Sequence, residues 1–429
     1  MTVPAPCTPD FREQPLWWDD AGLPELEPTM PPPRQVSVVV VGAGYTGLAA
    51  ALELRRRNID TVVVDRAELG RGASGRNGGM IHAGLHRDLQ WLERRLGERG
   101  RALRVASVSA VDLVERLAAE VAPDAGFERC GWLHLAHLSS RLMALRGEQV
   151  ARRTSGESTR MLEQAEIGEE SSCRGFAGAL LTDNGASIHP GRYLAGLARA
   201  ALAAGARIHP GLEVLSVEER PEMGPRVHTA AGPIDARHLL VATNGYTSSA
   251  FPVLRRRVIP IGSYIIATEP LPRAVADSVS RHGRMMTDTR ELLHYWRLSP
   301  DRRLIFGGRT SFAPITLQRA RDRLYAAMLR IYPQLDGIRV SHAWTGTVAF
   351  TMDRLPHLGR RGGMTYAMGY CGSGVAMATW LGTRAGAWIA DEPPGPFAGL
   401  PFPTLPAYTG RPWFLPAVGW YYQVRDRLP

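Results

Sequence analysis

Hydrophobic residues between positions 36 and 65 follow a strand–helix–strand pattern. A β-branched run over residues 36–41, broken only by Ser37, predicts a strand that is buried on both faces. A helical pattern follows over residues 45–57, and a second apolar strand covers residues 61–64 and ends at Asp65. This order of elements predicts a βαβ unit near the start of the chain.

Three glycines occupy the turn between the first strand and the helix. Gly42, Gly44 and Gly47 have the G-x-G-x-x-G spacing, which allows a tight turn, close approach of a pyrophosphate and close helix–strand packing. The helix N-terminus offers free N–H groups to phosphates. Asp65 lies near the position where a carboxylate accepts hydrogen bonds from a ribose hydroxyl. The combination predicts dinucleotide binding.

The rest of the chain alternates between helical and β-rich segments. Helices are predicted over residues 87–122, 193–203 and 317–332. Strands are predicted over residues 127–136 and 234–242, after residue 205 as far as residue 217, and near residue 339. Residues 258–311 are β-rich, with a hairpin turn at residues 299–301. A strand, a glycine-rich loop and a helix cover residues 363–390. The alternation predicts an α/β fold in which the chain returns to its first sheet.

Length and charge narrow the class of protein. With 429 residues, the chain is expected to form about two domains. The net charge of +10 comes from residues spread along the chain, so a solvated basic surface is expected rather than nucleic-acid binding. All 51 basic residues are arginine, which excludes a catalytic lysine or a lysine Schiff base.

Cysteines and apolar segments set expectations for location and metal content. The four cysteines form no C-x-x-C pair and no metal-ligand spacing, so neither disulfides nor a metal site is predicted. Residues 1–35 lack the pattern of a signal peptide, and no apolar run is long enough to span a membrane. Prolines interrupt the aromatic tail at residues 412–422, which favours packing on the first domain over membrane contact. A cytoplasmic protein is expected.

Five sequence blocks resemble a known family. They are GAGYTG at residues 42–47, SGRNGG at 74–79, ATNGYT at 242–247, YWR at 295–297 with FGGR at 306–309, and GYCGSG at 369–374. Together they resemble the D-amino-acid-oxidase-like flavoproteins, and within them the γ-glutamylputrescine-oxidoreductase-like branch. Trp17, Trp18 and the aromatic tail are similar to the same branch.

The resemblance implies a two-domain fold that binds FAD. A doubly wound, Rossmann-like FAD-binding domain would comprise residues 34–125, 183–250 and 340–392, and an antiparallel-sheet substrate domain would comprise residues 126–182 and 251–339. Residues 1–33 would form an irregular strap over the first domain, and residues 393–429 an aromatic tail. The residues implied to bind FAD are Gly42, Gly44, Tyr45, Thr46, Gly47, Asp65, Arg66, Ala73, Ser74, Arg76, Asn77, Gly78, Gly79, Val214, Thr243, Asn244, Gly245, Gly346, Gly369, Gly372, Ser373 and Gly374.

Three departures from the family pattern bear on the chemistry. Val348 stands where amino-acid oxidases of the family carry a carboxylate-binding Arg, which favours an amine over a free α-amino acid as substrate. No cysteine lies in the segment at residues 344–353, where sarcosine-oxidase-type relatives attach their flavin, so non-covalent binding of FAD is predicted. Cys371 suits a packed residue better than a linkage. Those relatives also use a lysine for the reaction with oxygen. In this chain another cation would replace that lysine: Arg309, a histidine or the protonated substrate. The alternative is that oxygen is not the acceptor.

The reaction that the resemblance implies is oxidation of a C–N bond. Hydride passes from the carbon next to nitrogen to flavin N5, and the imine hydrolyses to a carbonyl compound and an amine. Oxygen is the expected acceptor and peroxide the product. An aromatic pocket would hold the amine in its neutral form. The candidate catalytic or substrate-contacting residues are Tyr264, Tyr295, Trp344, His82 and Arg297, with Trp296 as a further lining candidate.

Each of these side chains also has a structural interpretation. The aromatic residues suit core packing as well as substrate contact, His82 suits a structural hydrogen bond, and Arg297 suits an ion pair. Because His294 and Tyr295 alternate on one strand, only one of them faces the cavity, and Tyr295 is expected there. The alternative functions are an amino-acid oxidase or dehydrogenase with another acceptor, an NAD(P)H-dependent reductase, and a non-catalytic flavin-binding protein.

Overall fold

The computed structural model describes residues 4–26, 31–154, 156–309, 312 and 315–426. Its strands are β1 (Cys7–Arg12), β2 (Gln35–Val41), β3 (Thr61–Val64), β4 (Met80–His82), β5 (Trp132–Ala136), β6 (Thr159–Glu163), β7 (Gly178–Thr182), β8 (Gly185–Ser187), β9 (Arg207–His209), β10 (Val214–Glu218), β11 (Arg226–Thr229), β12 (Gly232–Val241), β13 (Val258–Thr268), β14 (Met285–Asp288), β15 (His294–Leu298), β16 (Leu304–Gly308), β17 (Val340–Thr351), β18 (His357–Arg361) and β19 (Met364–Met368). Its helices are α1 (Tyr45–Arg56), α2 (Leu89–Leu96), α3 (Glu98–Val121), α4 (Ser139–Thr154), α5 (Gln164–Glu170), α6 (Pro190–Ala203), α7 (Pro252–Arg255), α8 (Arg273–Val279), α9 (Leu317–Ile331), α10 (Gly374–Ile389) and α11 (Leu415–Arg425).

The first sheet carries the glycine-rich segment near its centre. Its parallel core has the order β9–β3–β2–β12–β19. Helices α1, α3, α6 and α10 pack with Val38 and Val40 on one face. Strands β10 and β11 and helix α7 pack with Val39 and Val41 on the other. The structure thus buries β2 on both faces, as its continuous apolar run predicts. The prediction of a Rossmann-like α/β fold is confirmed.

The second sheet has nine strands and is mainly antiparallel. Its order is β1–β17–β13–β16–β15–β14–β5–β7–β6, and only the β1–β17 and β14–β5 pairs are parallel. Helix α9 covers one face, where Trp296, Phe306 and Leu324 belong to one buried cluster. Ser263 and Tyr295 are the chain neighbours of residues on that face, so their own side chains point to the other face of the sheet, toward the first sheet. The second sheet therefore roofs the carboxyl edge of the first.

Two segments differ from the predicted domain assignment. The prediction places residues 340–351 in the FAD-binding domain, whereas β17 runs through the second sheet between β1 and β13. The N-terminal strap is predicted to be irregular and to lie on the first domain, yet β1 is a strand of the second sheet. Both errors have the same cause, because pairing between distant segments leaves no local pattern in the sequence. Residues 1–3 and 27–30 of the strap lie outside the described residues.

The end of the tail forms a helix that the sequence prediction missed. Pro416 falls in the first turn of α11, where a missing N–H is tolerated. Leu415 packs in one cluster with Phe312, and the Asp426 carboxylate accepts hydrogen bonds from the backbone N–H groups of residues 291–292. The prediction places the whole tail on the first domain. Helix α11 packs on the substrate domain instead.

The earlier part of the tail does lie on the first domain. Phe397 is buried in the core that α1 and α10 share, and Phe402 stacks on His357 with ring centroids 3.8 Å apart. None of the helices in the described part of the chain combines the length and the apolar character that crossing a bilayer requires.

Substitution of Tyr332 by Phe tests the core between α9 and the second sheet. The Tyr332 hydroxyl accepts a hydrogen bond from Trp296 Nε1 at 2.9 Å and lies 2.8 Å from Ser171 Oγ. Removing it leaves a buried N–H without an acceptor, so we expect Tyr332→Phe to lower the free energy of unfolding by about 1–3 kcal/mol. Urea denaturation measures the loss. Tyr421→Phe is the matched control, because Tyr421 is exposed, and an equal loss in both variants would contradict the assignment.

Candidate active site

A cavity of about 950 Å³ lies where the two sheets meet. The loop after β2 and the segment before β4 form its wall on the side of the first sheet, and Ser263 and Tyr295 belong to its roof. Helix α11 closes part of its outer end through Leu415, Val418 and Tyr422. The volume is at the upper end of the range for cofactor and small-molecule sites.

The glycine-rich loop has the shape that a bound diphosphate needs. Gly42 has a φ of 109°, which side chains other than glycine rarely adopt. A Cβ on Gly47 would overlap the carbonyl oxygen of Gly42, so α1 lies directly against the turn. Gly44 and Tyr45, at the N-terminus of α1, line the cavity with the positive end of the helix dipole. This loop fits the FAD pyrophosphate that the resemblance implies.

Asp65 follows β3 at the edge of the cavity. Its carboxylate accepts hydrogen bonds from the backbone N–H groups of Ala43 at 2.8 Å and Ala67 at 3.0 Å. Burial raises the pKa of Asp65 in spite of these two bonds. Arg66 and Val214 line the same end of the cavity. Asp65 therefore braces the glycine-rich loop, and its other lone pairs suit a ribose hydroxyl.

Asn77 holds together the loop that precedes β4. Its Nδ2 donates to the carbonyl oxygens of Ala73 at 3.2 Å and Ser74 at 2.9 Å, and its Oδ1 accepts from the Gly79 N–H at 2.8 Å. Ser74 Oγ in turn accepts from the Tyr45 N–H at 3.0 Å. The loop is thus fixed to the N-terminus of α1.

Three successive carbonyl groups of this loop are held from three different elements. Trp344 Nε1 on β17, Trp17 Nε1 in the strap and Arg297 Nε on β15 donate to the carbonyl oxygens of residues 76, 77 and 78 in that order, at 2.8, 2.7 and 2.7 Å. We call residues 76–78 the tethered loop. It lines the cavity, so the strap and the second sheet together set its position.

The strap and β4 support further parts of the wall. The guanidinium groups of Arg71 and Arg76 lie over the Trp18 ring, at 4.3 and 4.8 Å from its centroid. On β4, His82 Nε2 lies 3.1 Å from Ser373 Oγ. Burial lowers the pKa of His82 to about 4, so its ring is neutral at pH 7. The neutral ring packs edge-on against Trp132 at 4.8 Å.

Of the predicted catalytic residues, Tyr295 and His82 line the cavity. The Tyr295 hydroxyl is 3.0 Å from Ser263 Oγ on β13. Its ring lies against the tethered loop, since a Cβ on Gly78 would come within 3.3 Å of it. His294, the neighbour of Tyr295, instead contacts the buried carboxylate of Asp288 at 2.9 Å.

The structure places the other predicted catalytic side chains outside the cavity. Tyr264 and Trp296 directly follow the cavity-lining residues Ser263 and Tyr295 on their strands. Their side chains therefore point to the other face of the sheet, into the core under α9. Trp344 is buried against Trp17, and Arg297 donates to backbone carbonyls, so both act on the tethered loop instead. Burial lowers the pKa of Arg297 to about 10. Arg297 is therefore a positioning residue for the tethered loop.

Five of the residues predicted to bind FAD lie behind the cavity wall. Gly369 donates its N–H to Asn244 Oδ1 at 2.9 Å, and Ser373 bonds to His82, so these two support lining residues. Gly47, Gly79 and Gly245 allow close packing beneath the wall. The predicted residues that do line the cavity are Gly42, Gly44, Tyr45, Thr46, Asp65, Arg66, Ala73, Ser74, Arg76, Asn77, Gly78, Val214, Thr243, Asn244, Gly346, Gly372 and Gly374.

Several wall residues were not predicted. His86 packs on Phe350 with ring centroids 5.9 Å apart, and both line the cavity. Phe350 lies on β17, four residues after Gly346. Because alternate residues of a strand face the same side, the sequence could have placed Phe350 on the same face as Gly346. Tyr422 and Phe414 come from the tail, and no local signal connects the tail with the cavity.

Comparisons with known proteins agree with this geometry. The sequence model of the DAO family, described as FAD dependent oxidoreductase, matches residues 37–388. The chain is 32% identical over 403 residues to the γ-glutamylputrescine oxidoreductase of Escherichia coli, covering 91% of this chain and 93% of that one. It is 31% identical over 395 residues to the probable oxidoreductase OrdL of Haemophilus influenzae, covering 89% and 90%.

A solved structure shows the same fold. The crystal structure of glycine oxidase from Geobacillus kaustophilus superposes with a TM-score of 0.71 at 20% sequence identity, covering 84% of this chain and 94% of that chain. The cavity residues fit the cofactor of the family, and the predicted resemblance is confirmed. The chain belongs to the DAO family of FAD-dependent oxidoreductases.

Proposed function

We propose that this enzyme oxidises a C–N bond of a primary or secondary amine, giving an imine that hydrolyses to an aldehyde or ketone. The observation that carries the proposal is the continuous cavity, which extends from the glycine-rich loop past the tethered loop to Tyr295 and α11. Bound FAD supplies the hydride acceptor at flavin N5. Similarity to the γ-glutamylputrescine oxidoreductase of Escherichia coli supports an amine of that kind as substrate.

The outer wall of the cavity suits an amine in its neutral form. An aliphatic ammonium group has a pKa of about 10 in water, by analogy with lysine, and burial among apolar groups lowers that value. Tyr295, Phe350, Phe414 and Tyr422 supply such a wall, and α11 limits the entry of water. The Tyr295 hydroxyl provides a hydrogen-bonding group next to the tethered loop.

The residues present suit non-covalent binding of FAD. Cys371 lines the cavity, but burial raises the pKa of its thiol to about 11, and its Sγ donates to the Gly369 carbonyl at 3.3 Å. A protonated thiol is a poor nucleophile for attachment. The start of α10 at Gly374 places a positive helix end against the cavity, which would stabilise negative charge on the reduced cofactor. The four cysteines are free thiols, which supports a cytoplasmic location.

We propose oxygen as electron acceptor, with peroxide as product. Ile305, on the strand where relatives place a lysine, is buried with Trp17 and Trp344 and does not reach the cavity. Arg309, four residues further on, does line the cavity. It supplies a fixed positive charge for oxygen reduction without a lysine.

Anaerobic titration with amines tests the proposed reaction. We expect γ-glutamylated diamines or related amines to bleach the oxidised flavin without air, and air to restore the absorbance with formation of peroxide. Stopped-flow absorbance and a peroxide assay measure both steps. Failure of every amine and amino acid to bleach the flavin would favour a non-catalytic protein, whereas bleaching by NADPH alone would favour a reductase.

Removal of one hydroxyl tests the role of Tyr295. We expect Tyr295→Phe to slow anaerobic flavin reduction about tenfold, because one hydrogen bond of about 1.4 kcal/mol to the reacting molecule is lost. Tyr264→Phe is the matched control, since the Tyr264 hydroxyl faces the core on the other side of the sheet. Equal rates for both variants would show that the Tyr295 hydroxyl has no part in the reaction.

Removal of one N–H donor tests the tethered loop. Trp17→Phe keeps an aromatic ring but leaves the Asn77 carbonyl without its donor. A lost hydrogen bond of about 1–1.5 kcal/mol raises the dissociation constant of FAD about tenfold. Quenching of flavin fluorescence on titration of the apoprotein measures this constant. Trp413→Phe, at an exposed position, should leave it unchanged, and unaltered binding in the Trp17 variant would exclude a role for the strap.

A further inference from the structure

The proposed amine oxidation needs a group in the cavity that accepts a proton. An aliphatic amine with a pKa of about 10 is present almost entirely as ammonium at pH 7, whereas hydride transfer requires a neutral nitrogen. Imidazole is the side chain best suited to exchange a proton near neutral pH. The histidines that line the cavity in the described part of the chain are His82, His86 and His134.

Two of these three histidines are unsuited to the task. Burial lowers the pKa of His82 to about 4 and the pKa of His86 to about 3. His82 Nε2 lies 3.1 Å from Ser373 Oγ. The backbone of Cys371 forms a hydrogen bond with His86. A base works best when its pKa lies near the working pH, so neither ring holds a proton taken from an ammonium group.

His134 lies on the cavity face of β5, in the same row as Tyr295. Its neighbours Leu133 and Leu135 are buried in the core under α9, so the imidazole points to the other face of the sheet. Thr287 on β14 pairs with His134 on one side and with Tyr295 on the other. Neighbouring strands lie about 4.8 Å apart, so the backbones of His134 and Tyr295 are about 10 Å apart. An amine bound beneath Thr287 would therefore lie between the two side chains.

Helix α4 supplies His134 with a carboxylate partner. The helix packs on β5 and β7 through Leu145. Glu148 Oε2 lies 3.7 Å from His134 Nδ1, while its Oε1 pairs with Arg152 at 2.7 Å. A carboxylate at Nδ1 keeps the hydrogen on that nitrogen and leaves the Nε2 lone pair free to accept a proton. Because charge-assisted hydrogen bonds are shorter and stronger than neutral ones, this contact tightens when the ring becomes charged.

The charges behind this pair balance one another. Arg152 also pairs with Glu157 at 3.0 Å, and Glu157 in turn pairs with Arg104 on α3. Two guanidinium groups thus face two carboxylates, and Glu148 is the carboxylate of this cluster that lines the cavity. The other titratable or charged cavity residues on the elements around His134 are Arg141 on α4, His82 on β4 and Asp288 on β14. Glu148 is therefore the group placed to stabilise a positive charge on His134.

We propose that His134 is the base that accepts the proton of the substrate ammonium group, and that Glu148 positions its ring. The proposal rests on the proposed amine oxidation and adds a catalytic residue to it. An N–H bond of the ammonium group breaks, its electron pair stays on the substrate nitrogen, and the proton forms a bond with His134 Nε2. Hydride then leaves the neighbouring carbon with its electron pair for FAD, which leaves a protonated imine. His134 returns its proton to water before the next turnover.

The pH dependence of anaerobic flavin reduction tests the proposal. Without the base only the neutral fraction of the free amine reacts, and this fraction falls tenfold for each pH unit below about 10. We expect the second-order rate constant of His134→Gln to lie at least a hundredfold below that of the unmodified enzyme at pH 7. The deficit should shrink as the pH rises and vanish near pH 10. Equal rate constants at pH 7, or a deficit of one size at every pH, would overturn the proposal.

His228→Gln is the matched control. His228 also lies beside a carboxylate, with its Nε2 3.6 Å from Glu218, but this pair is exposed and does not line the cavity. We expect the pH profile of this variant to match that of the unmodified enzyme. The same change of profile in both variants would overturn the assignment to His134. Flavin content, measured for each variant, confirms that the comparison concerns folded holoenzyme.

Removal of the Glu148 charge tests the positioning role. Glu148→Gln keeps a hydrogen-bond acceptor beside His134, and Arg152 retains its ion pair with Glu157. We expect a loss of about tenfold at pH 7 that also vanishes near pH 10, since a charge-assisted hydrogen bond becomes a neutral one. Because Glu148 acts through the ring, the same change should cause no further loss in the His134→Gln background. Additive losses would overturn the positioning role.

A measurement without turnover separates this proposal from the proposed function. The probe is tert-butylamine, which carries no hydrogen on the carbon next to nitrogen and so cannot be oxidised. NMR of the oxidised holoenzyme with isotope-labelled histidine reports ring charge, and loss of one signal in His134→Gln assigns that residue. We expect saturating tert-butylamine at pH 7 to raise the protonated fraction of His134. No rise would overturn the proposal even where other amines reduce the flavin. A rise without flavin reduction by any oxidisable amine would instead overturn amine oxidation.

Discussion

The tethered loop is the constraint on which the rest of the site depends. A buried carbonyl group without a donor costs about 1–3 kcal/mol, and here three consecutive carbonyls are satisfied by side chains from separate elements. Trp17, Trp344 and Arg297 thereby fix the loop from the strap and from two strands of the second sheet. A loop held this way is in position before the cofactor arrives, which reduces the entropy lost on binding.

The same tethers explain why the second sheet sits where it does. Arg297 also donates to the Ile188 carbonyl at 3.0 Å, next to the first turn of α6. Its burial is tolerated because backbone carbonyls accept from its guanidinium, and the Trp17 ring lies 5.3 Å away. Roof, strap and first domain therefore meet at one residue. A change in any of the three elements would move the cavity wall that the tethered loop forms.

Local sequence determined the first domain well and the roof only in part. The β2–α1–β3 unit was predicted because its apolar runs, its glycines and Asp65 are neighbours in the chain. For the roof, alternation predicts two faces but not which face turns to the cavity, since the sheet partners decide that. Tyr295 lines the cavity and His294 does not, whereas Tyr264 and Trp296 belong to the opposite face. Long-range pairing, as in β1 with β17, and the closure of the cavity by α11 have no local signal at all.

The charges of the cavity bear on the proposed amine oxidation. In that reaction hydride leaves the carbon only when the neighbouring nitrogen is neutral. The arginines that line the cavity outnumber its carboxylates, which destabilises an ammonium group in the same space. Arginine does not lose its proton in the physiological range, so this destabilisation of the ammonium group persists throughout that range. The fixed charges of arginine thus favour the neutral amine that the proposed reaction requires, in a chain that contains no lysine.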